Sequence, residues 1–227
     1  MKSNRHIVWR GIRCVLKIFK RKPQFIYLGD EFCDQSICLS NHVAAQGPLT
    51  YELYFPKAFR FWGIYHMTEG FKEKYKYLST TYFQGKKHFP APLAKFISIF
   101  ATPVMAVFYW GINLLPTYPD ARLSKTVKRS LDVLESNQSI IIFPENSTDG
   151  YHDVLKEYFI GFYLLAKKAF AKGMDLPIYN MYYQRKNKKV IVDKPIKYSE
   201  LAAMNLTKDE IAEMFRIRAN ELGQMEF

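Results

Sequence analysis

The chain has 227 residues, 48% hydrophobic and 24% charged, a balance that excludes a disordered or fibrous protein and suits one globular domain with a substantial core. Its formal net charge of +12 implies an anionic partner, with nucleic acid and an anionic lipid surface as the two candidates. The three cysteines, Cys14, Cys33 and Cys38, form neither a metal-ligand pattern nor a disulfide framework, so a reducing compartment, ordinary packing of all three and no metal are expected.

Residues 3 to 21 place Val8, Ile12, Val15, Leu16 and Phe19 at helical spacing, with Arg5, Arg10, Arg13, Lys17, Lys20 and Arg21 between them. The segment 1–22 therefore reads as a basic amphipathic helix. It suits an anionic membrane surface, with Trp9 near its start, and the alternative is a helix that covers the domain core. No cleavable signal is expected, because charges interrupt the first apolar positions.

From Pro23 onward, residues 23–227 alternate strand-like and helical runs, the pattern of an α/β domain. Phe25 to Leu28 and Ile37 to Leu39 read as strands, a helix follows Gly47 and Pro48, and Phe59 to Ile64 reads as another strand. Helices are expected over Tyr65 to Ser79 and Pro92 to Tyr109, then a strand over Ile112 to Leu115 and an amphipathic helix over Leu123 to Glu135. Ile140 to Phe143, β-branched and ending at Pro144, reads as a buried central strand. Val154 to Ala171 has helical periodicity, and Leu176 to Tyr183 with Lys189 to Val192 reads as a strand pair turning at Arg185 to Lys188. Thr207 and Glu210 form a capping box that opens a C-terminal helix. The uncharged stretch Phe96 to Tyr118 is long enough to cross a bilayer, yet Pro103, Gly111, Asn113 and Pro116 punctuate it. A buried helix followed by a short strand fits that punctuation better than a spanning helix.

Polar residues directly follow two apolar runs, the position where α/β proteins place their sites. One is Ser40-Asn41-His42, where a His at a strand end can take a proton near neutral pH and so activate a hydroxyl. The other is Phe143-Pro144-Glu145-Asn146-Ser147, followed by Thr148, where Glu145 can hold a substrate hydroxyl or brace the site.

The order and separation of these blocks resemble the glycerophospholipid acyltransferase family, whose lysophosphatidate (1-acylglycerol-3-phosphate) acyltransferases carry Asn-His, four residues and Asp, and later Phe-Pro-Glu-Gly-Thr. Here the first block is Ser40-Asn41-His42-Val43-Ala44-Ala45-Gln46-Gly47-Pro48-Leu49 and the third is Phe143-Pro144-Glu145-Asn146-Ser147. Leu176-Pro177-Ile178 is similar to the fourth block, and the likeness runs from about Ile37 to Tyr198. It implies an α/β fold with a mixed, mostly parallel central sheet flanked by helices, and an O-acyltransferase of phospholipid biosynthesis on the cytoplasmic face of a membrane. It further implies an acyl thioester donor, acyl-CoA or acyl carrier protein, and no other cofactor. His42 would be the base, Glu145 would organise the acceptor, and Asn41, Asn146, Ser147 and Thr148 would bind substrate.

Three departures qualify that likeness. Gly47 stands where the family has the Asp that orients the catalytic His, a role comparable to the carboxylate of a hydrolase triad. Gln46, Glu52 and Glu69 are the candidate substitutes. The family's acceptor-phosphate arginine, expected near Thr117, is missing, and Arg122 lies a few residues later as a candidate donor pair for a phosphate. Asn146 replaces the usual Gly. These differences leave a lipid-binding relative that has lost the reaction as the alternative. A nucleic-acid binder has only the charge and lysine-flanked tyrosines behind it, and neither a Gly-x-Ser-x-Gly elbow nor a Cys-x-x-Cys pair supports a hydrolase.

Overall fold

A computed structural model of the chain describes residues 6–147 and 149–227. The expected N-terminal helix is present as α1 (Ile7–Phe19), entered through His6, whose ring nitrogen accepts from the Val8 amide at 3.3 Å. Its apolar residues divide between two directions. Trp9 is buried with Ile12 and Leu16 partly covered, while Ile7, Val8, Val15, Ile18 and Phe19 face outward. Arg5 lies outside the described residues.

The strands β1 (Gln24–Tyr27), β2 (Ile37–Ser40) and β3 (Phe59–Ile64) are separated by α2 (Gln46–Tyr54) after β2. The helix expected over Tyr65 to Ser79 is broken into a 3₁₀ turn (Tyr65–Met67) and α3 (Phe71–Lys76). Gly70, the N-cap of α3 in extended backbone, separates them. A ten-residue π-helix (Tyr77–Lys86) continues directly from α3. Then come α4 (Ala91–Ile112), β4 (Leu115–Thr117), α5 (Leu123–Glu135) and β5 (Ser139–Ile142). The expected strand at Ile112 begins only at Leu115, because α4 runs on to Ile112 and ends on Asn113 in the left-handed region (φ 51°).

Helix α6 (Gly161–Phe170) is shorter than its periodicity predicts. Residues 154–160 instead lie outside any helix, with Glu145 bridged to Tyr158 and the Phe159 amide donating to the Pro144 carbonyl at 2.7 Å. The remaining elements are β6 (Pro177–Gln184), β7 (Lys189–Val192), β8 (Ile196–Lys197), α7 (Tyr198–Ala203) and α8 (Lys208–Gln224), the last with its Thr207–Glu210 capping box formed.

The sheet runs β1-β7-β6-β2-β5-β3-β4, with β8 added to β6. From β6 to β4 every neighbouring pair is parallel, whereas β7 and β8 run antiparallel to β6 and β1 follows β7. Central strands are buried on both faces, which explains why Ile140-Ile141-Ile142 shows no polar alternation. Ile37, Leu39, Ile140 and Ile142 face α5, α6 and α8, and Cys38, Ile141 and Tyr179 face the side of α1 and α2. The fold is thus a single mixed α/β domain with helices on both faces of a mostly parallel sheet.

Two expectations are corrected. Cys38 is buried, but Cys14 and Cys33 are exposed, and all three are free thiols. Helix α4 is not a buried helix: only 17% of its most apolar window is buried, although its 22 residues are long and apolar enough to cross a membrane. Its inner edge, Ala94, Ser98 and Thr102, packs inward, and Leu93, Phe96, Phe100, Val104 and Val107 form an outward stripe at helical spacing. The two outward apolar surfaces meet where His6 and Trp110 approach with ring centroids 4.9 Å apart.

Candidate active site

Parallel pairing of β2 and β5, with Leu39 opposite Ile142, carries the two polar blocks to the same end of the sheet at the same offset. The carboxyl end of a central parallel pair is where the backbone leaves the ladder and side chains become free to act. His42 and Phe143 meet there at 4.7 Å between centroids with their planes tilted by 54°, and the Tyr151 ring lies 5.0 Å from the imidazole, tilted by 30°.

The turn after His42 is strained. Val43 (φ 46°) and Ala44 (φ 52°) are successive non-glycine residues in the left-handed region, which costs about 1–3 kcal/mol each. This turn brings the start of α2 against the His42 backbone so closely that only glycine fits at position 47. The position that would hold an orienting Asp is therefore closed by backbone.

No side chain among the described residues replaces that Asp. The Nδ1 atom of His42 is buried without a hydrogen-bond partner among the described residues. Gln46 opens α2, its amide bonded to the Val43 carbonyl at 3.2 Å. Glu52 is turned the opposite way, accepting from Trp9 Nε1 at 2.9 Å and facing Arg13 Nε at 3.4 Å. Glu69 is exposed. What the imidazole meets instead is aromatic on two sides. Burial, helped by the charge of Lys86 and opposed by the carbonyls of Ala44 and His42 itself, lowers its pKa to about 4. At neutral pH the ring is uncharged and able to accept a proton.

Glu145 is buried, with Oε1 unpartnered. Burial raises its pKa to about 7, against the stabilising effects of the His42 amide and the Lys86 ammonium. The two titratable groups are thus driven apart from their usual order, the imidazole below the carboxyl, a pattern typical of sites that divide acid and base roles.

Lys86 is the residue the sequence did not mark. The last residue of the π-helix, it donates from Nζ to Ser147 Oγ at 2.8 Å, lies 5.3 Å over the Tyr151 ring, and interacts with both His42 and Glu145. Burial lowers its own pKa while Glu145 holds it up. No motif surrounds it; a π-helix inside a helical run, which often marks a functional site, was the only clue and is invisible in sequence. Tyr77 and Tyr82 from the same π-helix and Tyr109 from α4 add to the wall around Tyr151, whose hydroxyl pKa is raised by burial and then by those neighbours.

The other expected residues divide clearly. Asn41 is locked into the sheet, its Nδ2 donating to the Tyr183 carbonyl at 3.2 Å and its Oδ1 accepting from the Tyr183 amide at 2.7 Å, so it holds β2 to β6. Asn146 donates to Glu157 at 2.7 Å and braces the loop below Glu145. Ser147 stands in the site through Lys86, and Thr148 lies outside the described residues. Arg122 is away from His42. It forms a two-point pair with Asp120 at 2.8 to 3.1 Å and sits over Tyr65 and Tyr118 at 5.1 and 4.5 Å. A run of rings, Tyr65 on His66 and His66 on Tyr77, lies between Arg122 and the aromatic wall.

Among the described residues no cluster of side chains could hold a metal ion. Neither protein-family models nor curated sequences match the chain. Among solved structures it is similar to the crystal structure of the 1-acyl-sn-glycerophosphate (LPA) acyltransferase PlsC from Thermotoga maritima, with a TM-score of 0.51 at 12% identity over 97% of this chain and 81% of that one. At that identity the likeness is one of fold alone.

Proposed function

We propose that the chain is an O-acyltransferase that moves a fatty acyl group from a thioester, acyl-CoA or acyl carrier protein, to the hydroxyl of a lysophospholipid or related lipid. The observation that carries this reading is the meeting of His42 and Glu145, distant in sequence, at one end of the β2–β5 pair beside a half-buried lysine. His42 removes the acceptor proton as the oxygen attacks the thioester carbonyl; the carbon–sulfur bond breaks and the imidazolium returns the proton to the leaving thiolate. Nothing in this step needs a covalent enzyme intermediate. Glu145 orients the acceptor, and Lys86 offers a cation to an anionic head where Arg122 is occupied by Asp120.

The outward stripes of α1 and α4 support work at a membrane surface with lipids as the partner, and the proposed site of action is its cytoplasmic face. Both acyl chains already partition there. Purified protein with labelled acyl-CoA and a panel of lysolipids should form product, and His42→Ala should abolish it. Product formation unaffected by that change would remove His42 from the mechanism.

A second reading, a lipid-binding relative without the reaction, is favoured by one observation: the orphaned Nδ1 of His42 has no carboxylate to stabilise an imidazolium. Lysolipid binding by an enzyme inactive with every donor and acceptor would decide for it.

A further inference from the structure

Two segments far apart in sequence meet at the end of the sheet that carries His42. Strand β6 is parallel to β2, with Ser40 opposite Met181, so the turn at 185–188 lies at that end. Strand β1 starts beside the same turn, with Gln24 opposite Lys189 and its amide donating to the Lys188 carbonyl at 2.9 Å. This brings the C-terminal end of α1 alongside. The Tyr54 hydroxyl, at the end of α2, pins it there by donating to the Lys17 carbonyl at 3.3 Å and to that of Lys20.

The junction is crowded with one sign of charge. Lys17, Lys20, Arg21 and Lys22 come from the first segment and Arg185, Lys186 and Lys188 from the second, and none forms an ion pair with a carboxylate among the described residues. Lys20 is held close enough to Lys188 that burial and the neighbouring charge together lower its pKa. Like charges held together without an acid are stabilised by an anion from outside. Beside them Ile18 and Phe19 are 78% and 82% exposed, and the apolar stripe continues along α1 to Ile7 and, through Trp110, onto α4.

We propose that residues 17–22 and the turn 185–188 form one basic rim that binds the phosphate-bearing headgroups of an anionic bilayer while Ile18 and Phe19 enter its acyl layer, so that the site end of the sheet is turned toward the lipid. The proposal takes its partner from the membrane-surface reading above and is independent of the reaction. An acidic carrier protein would answer the charge alone; the exposed Ile18 and Phe19 and the stripe behind them favour a bilayer.

The test is flotation of the full chain with vesicles of phosphatidylcholine alone and of phosphatidylcholine mixed with phosphatidylglycerol, for wild type and for Arg185→Gln/Lys186→Gln. Both residues are exposed at the turn and neither belongs to the catalytic machinery. Two such charges, at about 1 kcal/mol each, predict about thirty-fold weaker partitioning to the anionic vesicles, erased by high salt, with binding to the neutral vesicles unchanged. Ile18→Ser/Phe19→Ser should weaken binding to both. A turn variant that partitions like wild type on anionic vesicles overturns the rim, as does one that keeps vesicle binding but loses binding to acyl carrier protein. A wild type that floats with neither vesicle overturns the rim and the membrane reading together. Transfer to detergent-dispersed lysolipid should be equal in wild type and turn variant; a wild type inactive there counts against the reaction while the flotation still decides the rim.

Discussion

A Cβ on Gly47 would lie 2.2 Å from the carbonyl oxygen of His42. No real Cβ tolerates that distance, so the position that answers to the orienting Asp of the family the sequence resembles is closed to any side chain. Gly47→Asp is therefore expected to damage the site rather than restore a dyad. Overpacking of this kind costs at least about 1–3 kcal/mol, a fall in Tm of several degrees for a domain of this size. Thermal unfolding and acyl transfer should drop together in both Gly47→Ala and Gly47→Asp. An active, stable Gly47→Asp would show that the turn can open.

With the dyad position closed, the ring of His42 is held by Phe143 and Tyr151. Tyr151→Phe keeps the ring that packs against the imidazole and should retain most activity, while Tyr151→Ala should lower kcat by about 10²-fold or more with KM nearly unchanged, approaching the loss of about 10²- to 10⁴-fold expected of His42→Gln. Equal kcat in Tyr151→Ala and wild type would leave the imidazole to be oriented by something else.

Lys86 lowers the pKa of both His42 and Glu145. Removing its charge in Lys86→Met should raise both, moving the pH dependence of kcat/KM toward higher pH by about one unit or less on each limb. A profile that loses height without moving would mean that Lys86 acts only as a packing residue.

Glu145 makes stability itself depend on pH. Its pKa is about 7 in the folded chain against 4.5 when unperturbed, so between those values the folded state holds more protons than the unfolded one and stability falls as pH rises. The difference corresponds to at most about 3 kcal/mol, lost by pH 8. His42, at about 4 against 6.5, works the other way, adding stability as pH rises through that window. The two nearly cancel in wild type. Glu145→Gln removes the first and leaves the second, so urea unfolding should find the variant gaining stability from pH 5 to 7 while wild type stays flat.

Much of the fold was legible because its signals are local. Leu123–Glu135 and Phe59–Ile64 fall where amphipathic and aromatic-rich patterns place them, and the Thr207–Glu210 capping box starts α8 as written. The failures are tertiary. Periodicity over Val154 to Tyr158 was overruled by pairing of that segment with the Glu145 loop. Apolar content in α4 was equal to a core helix or to one facing lipid, and only neighbours could distinguish them. In the site, His42 and Glu145 were found from strand-end position and block order. Asn41 belongs to the sheet, a role that needed Tyr183 beside it, and Lys86 has no neighbour in sequence that announces it.

The π-helix that delivers Lys86 also sets a genetic liability. Ten residues wound at i→i+5 crowd more chain into the same length than an α-helix does, so loss of a codon between Tyr77 and Lys86 moves the segment toward ordinary helix. Such a deletion would turn Lys86 by about a hundred degrees, away from Ser147, while leaving the helix locally more comfortable. A lineage that no longer needs the site therefore has an easy one-step exit from it, and retention of the awkward winding would be a mark of selection for what the lysine does.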